Sequence, residues 1–123
     1  MNTVSLSLNE ILELAKKTLL ANGCDEENAS ILADTIMRAE RDGSVSHGLF
    51  RLPAYVAGLK SKKINGKARP ILENVAPSII KVLGNNAVAP MVLSLGLPAV
   101  IELAKKNGVA VLAIKNSHHM EIG

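Results

Sequence analysis

The segment "VAVLAIK", residues 109–115, decides the fold class of this 123-residue chain. It is apolar up to its last residue, as expected of a strand that is buried on both faces of a parallel sheet. Gly108 precedes it and ends a helix that the pattern predicts from about Pro90 to Lys106. Upstream, "SIIKVLG" at residues 78–84 is short and β-branched, which predicts an earlier strand. Strand, helix and strand together form a right-handed βαβ unit with two parallel strands.

The predicted βαβ unit is incomplete, because two strands do not make a stable sheet. After the second strand the chain continues only through "NSHHMEIG", residues 116–123. Ligands of α/β folds bind beyond the carboxyl ends of parallel strands. The sequence therefore stops where a binding site is expected to begin, and we expect a chain that is shortened relative to a complete domain.

Two amphipathic helices are predicted near the N-terminus. Ser7 and Glu10 form a capping box for the first helix, and Gly23 ends it. Asp25 caps the second helix, whose apolar stripe ends at the charged Glu40. The predicted buried residues are Ile11, Leu12, Ala15, Leu19 and Leu20 in the first helix, and Ala29, Leu32, Ala33, Ile36 and Met37 in the second. We expect these helices to pack as a hairpin.

A third helix, or two short ones, is predicted from Ser46 to Lys60. Ser46 can cap a helix that begins at His47, and Pro53 then bends or restarts it, because proline is tolerated only in the first helical turn or at a kink. In one continuous helix His47, Arg51 and Tyr55 lie at i, i+4 and i+8, on one face.

This polar face has the residue types of a site that holds a carboxylate and moves a proton beside it. The guanidinium of Arg51 matches a carboxylate in a bidentate way. His47 can give or take a proton near neutral pH, and the hydroxyl of Ser46 can orient the imidazole. The alternative interpretation is a polar contact between helices, with Tyr55 in the core.

Composition and charge narrow the class of protein. Hydrophobic residues make up 48% of the chain, and its one cysteine excludes an internal disulfide. The sequence has neither the pattern of a signal peptide nor an apolar run of the roughly 18 residues that a membrane span needs. We therefore expect a cytoplasmic protein that does not bind a membrane. The net charge is +3, and basic residues gather in residues 60–69 without interleaved aromatics. This run predicts a solvated loop, or a loop that faces an anion, and no nucleic-acid partner.

Two other kinds of site receive little support. His118 and His119 are adjacent on an extended segment and point to opposite faces, so they do not chelate one ion, and no metal site is predicted. No G-x-G-x-x-G follows a strand, so the dinucleotide-binding fingerprint of the Rossmann fold is absent.

Two motifs resemble the malate/L-lactate dehydrogenase family of NAD(P)-dependent oxidoreductases, which is distinct from the Rossmann-fold lactate dehydrogenases. "ERDGSVSHGLFRLPAY", residues 40–55, matches D-x-x-G-x-x-S-H-G-x-x-R-x-x-x-Y except for Glu40 in place of Asp. "NGVAVLAIKNSHH", residues 107–119, resembles the family's G-V-A strand that ends in N-S-x-H. "RDGS", "FR" and the doubled histidine are most similar to the Δ1-piperideine-2-carboxylate/Δ1-pyrroline-2-carboxylate reductase branch.

The resemblance implies an enzyme and a function. Full-length family members use NADPH or NADH to reduce such a cyclic imino acid to pipecolate or proline, or interconvert a 2-hydroxy acid such as malate or lactate with its 2-oxo acid. The substrate is thus a small carboxylate, and the full-length protein is expected to be a homodimer. The fold class is α/β, with N-terminal helices followed by a βαβ unit, an incomplete part of the family's non-Rossmann fold.

The resemblance also implies roles for single residues. His47 is similar to the proton donor, Ser46 to its relay partner, and Arg51, with Tyr55, to the substrate-binding residues. The stretch that lies along the cofactor corresponds to His119, Met120, Glu121, Ile122 and Gly123. In some relatives a histidine at the position of His119 is instead the acid/base, so both assignments stay open.

The resemblance divides the chain into two regions. Residues 1–69 form a helical region with the Ser-His-Gly motif, and residues 70–123 form the start of the cofactor-binding α/β domain. Family members are much longer, so we expect this segment alone to be inactive. The alternative is a truncated non-catalytic remnant or a small anion-binding module.

Overall fold

The computed structural model describes residues 6–44 and 48–117 of the chain. The chain forms two compact units, Met1–Lys62 and Lys63–Gly123. Several predicted site residues, namely Ser46, His47, His119, Met120, Glu121, Ile122 and Gly123, lie outside the described residues, as does His118. Within the described residues, no helix is both long enough and apolar enough to cross a membrane.

The first unit begins with a helical hairpin of α1 (Leu8–Ala21) and α2 (Glu26–Arg41). The predicted capping box is present: the Glu10 N–H donates to Ser7 Oγ at 3.1 Å, and the Ser7 N–H donates to Glu10 Oε1 at 3.0 Å. At the start of α2, the Asn28 N–H donates to the Asp25 carboxylate at 2.9 Å. Both helix starts were therefore predicted correctly from local cap chemistry.

The hairpin core is narrower than the predicted stripes. The fully buried apolar residues of the two helices are Ile11, Ala15, Leu19, Ala29, Leu32, Ala33 and Ile36. Leu12 and Met37 are half-buried, and Leu20 is 41% exposed, so its predicted burial is wrong. Leu20 follows the fully buried Leu19 by about 100° around the helix, which turns it away from the partner helix.

Cys24, between the two helices, is buried. Burial, and then the neighbouring Asp25 carboxylate, raise the pKa of the Cys24 thiol to about 11. Since the thiolate is the reactive form, iodoacetamide should alkylate the folded chain slowly at pH 8 and much faster in denaturant. Equal rates in the two conditions would contradict a buried thiol.

The raised thiol pKa has a further consequence for stability. An unfolded thiol ionises near a pKa of about 8.5, whereas the folded thiol ionises near 11. Between these values the folded state binds more protons, so the free energy of unfolding should decline as pH rises from about 8.5 to 11. Urea unfolding at several pH values measures this decline, and a Cys24→Ser control should reduce it.

The described part of the third helical segment consists of two short helices, which agrees with the second of the two predicted alternatives. A 3₁₀ turn spans Leu49–Arg51, and helix α3 spans Leu52–Lys60. Pro53 lies in the first turn of α3, so the helix restarts rather than bends. Gly48, before the 3₁₀ turn, has φ −92° and ψ −136°, which is not helical. A single helical face from His47 through Tyr55 is therefore wrong.

In the second unit, the residues described up to Ser117 form a three-stranded sheet and one helix. Its strands are β1 (Ile71–Ala76), β2 (Ile79–Leu83) and β3 (Val111–Lys115), and helix α4 (Ala89–Asn107) connects β2 to β3. The strand order is β1-β2-β3, with β1 antiparallel and β3 parallel to β2. The predicted βαβ unit is confirmed, and α4 ends at Gly108, which has φ +84°.

Strand β1 was missed, so the prediction of only two strands is wrong. Four of its six residues are exposed, and it contains Glu73 and Asn74, which are unusual in strands. It pairs at the edge of the sheet, with a bulge between Asn74 and Ala76. An exposed edge strand lacks the apolar pattern by which a buried strand is recognised.

The predicted burial of the last strand on both faces is also wrong. Helix α4 packs on β2 and β3, and a Cβ on Gly96 would contact Leu112 at 3.0 Å and Val82 at 3.3 Å. However, Val111 is 54% exposed and Ile114 is 43% exposed. Burial depends on what covers a strand, and only the central strand β2 is buried, through Ile80 and Val82.

Backbone hydrogen bonds connect the residues that follow β2 to the carboxyl end of β3 and the residue after it. The Gly84 N–H donates to the Lys115 carbonyl at 2.7 Å, and the Asn86 N–H donates to the Asn116 carbonyl at 2.8 Å. A Cβ on Gly84 would lie 2.6 Å from the Asn116 carbonyl oxygen and 3.2 Å from the Ser117 Cα. Only glycine fits this close approach of two backbones.

We therefore expect Gly84→Ala to lower the free energy of unfolding by about 1–3 kcal/mol, the usual cost of overpacking. The neighbouring atoms are backbone atoms of β3's carboxyl end, which cannot swing aside as a side chain can. Gly96→Ala is the matched control, since its Cβ would meet only side-chain atoms, and its effect should be smaller. Urea denaturation of both variants measures this difference, and equal stabilities would contradict the tight approach.

Candidate active site

One part of the candidate site lies where α2 ends and the Ser-His-Gly segment begins. Helix α2 is capped by Asp42, and Gly43 has φ +78°, which turns the chain out of the helix. The Leu49 N–H donates to the Glu40 carboxylate at 2.8 Å. The backbone directly after the Ser-His-Gly segment is thereby attached to the end of α2.

Arg51 and Tyr55 are one turn apart, Arg51 at the end of the 3₁₀ turn and Tyr55 inside α3. Both side chains are half-buried. Burial raises the pKa of the Tyr55 hydroxyl, and the charge of Arg51 acts in the opposite direction. Because Arg51 has a helical backbone conformation directly before α3, the spacing of four residues makes the two side chains neighbours. A guanidinium beside a protonated phenol can hold a carboxylate through several donors.

A second polar region lies in the other unit, beyond the carboxyl ends of the parallel strands. Asn85, Asn86 and Asn116 all have positive φ, between 53° and 64°. These turns place the loop after β2 next to the loop after β3. A cavity of about 270 Å³ is lined by Ala89, Leu93, Ile114, Asn116 and Ser117. Ala89 belongs to the first turn of α4, so this cavity combines strand ends with a helix N-terminus.

The location of the cavity beyond β2 and β3 indicates which kind of ligand it could bind. The cavity has the location at which α/β folds bind cofactors, and helix N-termini favour phosphate groups. The predicted cofactor stretch from His119 follows Ser117 by two residues in sequence. Among the residues that the structure describes, no group of three potential metal ligands is found.

Glu40 is the site residue whose contact sequence reasoning missed. The sequence showed it only as the charged end of an apolar stripe and as a departure from the family's Asp. Its partner, the Leu49 N–H, lies nine residues away, beyond the range of local patterns. One signal was available in the sequence. Glu40 places a carboxylate on the apolar stripe of α2, in the last helical turn, and a charge at such a position indicates a specific partner.

Comparison with known proteins identifies the class of the chain. Residues 6–123 match the family model described as malate/L-lactate dehydrogenase, which is a class of oxidoreductases. The chain therefore belongs to the malate/L-lactate dehydrogenase family.

Within this family, the chain is similar to several individual reductases and dehydrogenases. The chain is 42% identical over 116 residues to the Δ1-pyrroline-2-carboxylate reductase of Ancylobacter novellus, covering 94% of the chain and 34% of the relative. The crystal structure of Δ1-piperideine-2-carboxylate reductase from Pseudomonas syringae matches with a TM-score of 0.89 and 37% identity, over 95% of the chain and 35% of the other protein. Malate dehydrogenase from Entamoeba histolytica matches with a TM-score of 0.87 and 32% identity, over 96% of the chain and 33% of that protein.

These matches confirm the predicted family and fold class. The chain spans about a third of the length of the relatives that it matches. The α/β architecture, with helices followed by a small sheet, is therefore one part of the malate/L-lactate dehydrogenase-like fold.

Proposed function

We propose that the full-length protein that carries this segment is an NAD(P)H-dependent reductase. Its substrate is a cyclic imino acid, Δ1-piperideine-2-carboxylate or Δ1-pyrroline-2-carboxylate, or else a 2-oxo acid whose 2-hydroxy form is malate or lactate. The observation that carries the proposal is that Arg51 and Tyr55 lie one helical turn apart, after the Ser-His-Gly segment in the sequence. Arg51 would bind a carboxylate, and the candidate proton donor His47 precedes it by four residues in the sequence. This combination suits the substrates, because all of them carry a carboxylate next to the reacting C=N or C=O.

The chain's own residues perform binding and proton transfer in this proposal. Arg51 binds the substrate carboxylate, with Tyr55 beside it. His47, oriented by Ser46, gives its proton to the ring nitrogen of the imine, or to the oxygen of a 2-oxo acid. The nicotinamide supplies a hydride to the adjacent carbon when it is bound. The carbon is reduced, the dinucleotide is oxidised, and the proton from His47 completes the amine or alcohol.

The cavity beyond β2 and β3 supports the proposed cofactor site. Asn116 and Ser117 line it and lead into the predicted stretch from His119 to Gly123. In the first turn of α4 the Ala89 N–H is the backbone donor that could face a phosphate, because Pro90 has no N–H and the Met91 and Val92 N–H groups donate to the Val88 carbonyl. NADPH is our first choice and NADH the alternative. The homodimer, the cytoplasmic localisation and the division at residue 69 stay predictions.

Calorimetry with NADPH and NADH on the full-length protein tests this proposal. We expect one of them to bind with an affinity in the usual range of enzyme substrates, roughly 1 μM to 1 mM. Binding of inorganic phosphate alone, without either dinucleotide, would instead favour the small anion-binding module. Failure to bind any of them would contradict the reductase.

A further inference from the structure

Glu40 is a carboxylate at a position where helix rules disfavour one. It follows the fully buried Ile36 by four residues, so it continues the apolar stripe of α2. It also lies in the last turn, where the helix dipole disfavours negative charge and where Arg38 and Arg41 conform to the rule. Natural sequences depart from local rules mostly at functional or strained sites. The side chain therefore needs an explanation beyond the hairpin.

The structure supplies a specific contact for this carboxylate. The Leu49 N–H donates to Glu40 Oε1 at 2.8 Å, and the bond is partly buried. It connects two positions nine residues apart, at the end of α2 and at the start of the 3₁₀ turn. Hydrogen bonds to an ionised acceptor are roughly twice as strong as neutral ones. Glu40 thus restrains the chain two residues after His47.

Gly48 makes this contact possible. Gly48 is buried, and a Cβ built on it would overlap the Glu40 carboxylate, with the Glu40 Cγ and Cδ both 2.7 Å away. Any larger residue would push the carboxylate away from the Leu49 N–H. The glycine of the Ser-His-Gly segment and the acidic residue at the end of α2 therefore depend on each other.

We propose that Glu40 is a positioning residue: it fixes the backbone of Gly48 and Leu49, directly after His47 in the sequence, through the Leu49 N–H and the space that Gly48 leaves for the carboxylate. The catalytic part of this inference rests on the proposed function, because it assumes that His47 transfers the proton. The structural part, the coupling of Glu40 to Gly48 and Leu49, stands on the contacts alone.

The structural part is tested by amide hydrogen exchange on the chain. We expect Glu40→Ala to speed exchange of the Leu49 amide by roughly tenfold or more, the loss of one hydrogen bond to a charged group. Gly48→Ala should have the same effect, because its methyl group displaces the carboxylate. The double variant should exchange no faster than either single variant. Glu13→Ala, which removes an exposed carboxylate from α1, is the matched control and should leave Leu49 unchanged.

The catalytic part is tested by steady-state kinetics in the full-length protein. Glu40→Ala should lower kcat by roughly tenfold while the KM for NAD(P)H stays unchanged. Glu40→Gln should retain most of kcat, because its amide oxygen can accept the same bond. Should Glu40→Ala fail to fold, Gly48→Ala and Glu40→Gln carry the same comparison.

The outcomes separate this inference from the proposed function. Unchanged Leu49 exchange in Glu40→Ala, or additive effects in the double variant, would overturn the coupling. An unchanged kcat in an active enzyme would overturn the positioning role. An inactive wild-type protein would count against the proposed function alone, since the exchange experiment would still decide whether Glu40 fixes the backbone of Gly48 and Leu49.

Discussion

Replacing His47 by alanine in the full-length protein is expected to reduce turnover by roughly 10²–10⁴-fold, the usual contribution of a general acid. His47 follows Ser46 and precedes Arg51, the proposed carboxylate-binding residue, by four residues. A nearby carboxylate favours the charged form of an imidazole, so a bound substrate would suit His47 to donate a proton in the reductive direction. NADPH affinity should stay unchanged, because the proposed cofactor stretch lies elsewhere in the sequence. Turnover and NADPH binding of the variant measure both parts.

His119→Ala is the comparison that separates the two candidate histidines. This variant should weaken NADPH binding rather than abolish the chemical step. If His119→Ala instead removes turnover at unchanged cofactor affinity, and His47→Ala only raises the Michaelis constant, the two roles are reversed.

Arg51→Lys is expected to raise the substrate Michaelis constant by roughly 10–100-fold, because lysine keeps the charge but loses the bidentate fork. The affinity for NADPH should stay unchanged. Arg38→Lys is the matched control: Arg38 pairs with Asp34 on the surface of α2 at 2.8 Å, so its replacement should leave both constants unchanged. Equal losses of substrate and cofactor affinity in Arg51→Lys would assign Arg51 to the fold or to the cofactor.

The predicted elements that proved correct are those that local chemistry specifies. Ser7 and Asp25 cap their helices by accepting hydrogen bonds from nearby backbone N–H groups, and Gly108 ends α4. Each of these helix boundaries is therefore determined by residues close to it in the sequence. The parallel pairing of β2 with β3 follows from the strand–helix–strand order.

The elements that sequence reasoning missed depend on distant parts of the chain. Strand β1 exists because it pairs with β2, although its own residues carry little strand signal. The exposure of Val111 and Ile114 depends on what covers β3, which the strand's own sequence does not state. Long-range pairing and burial are set by tertiary context, which overrides local propensity.

In the candidate site, too, local features were predictable from the sequence and long-range contacts were not. The roles of Arg51 and Tyr55 stay predictions, but their placement one helical turn apart was predictable from their spacing. Their presumed common helix with His47 was not, because Pro53 starts a new helix at Leu52. The contact between Glu40 and Leu49 was invisible to pattern reasoning, because it spans a loop rather than a helical turn.

The consumption of NADPH and of NADH by the full-length protein, in the presence of Δ1-piperideine-2-carboxylate, Δ1-pyrroline-2-carboxylate, oxaloacetate or pyruvate, tests the central claim most directly. The proposed function predicts that at least one of these substrates is reduced at an ordinary enzymatic rate, about 1–10³ per second. It also predicts that Arg51→Lys impairs this reaction through substrate affinity. A folded, full-length protein that binds neither cofactor and reduces none of the four substrates would contradict the claim.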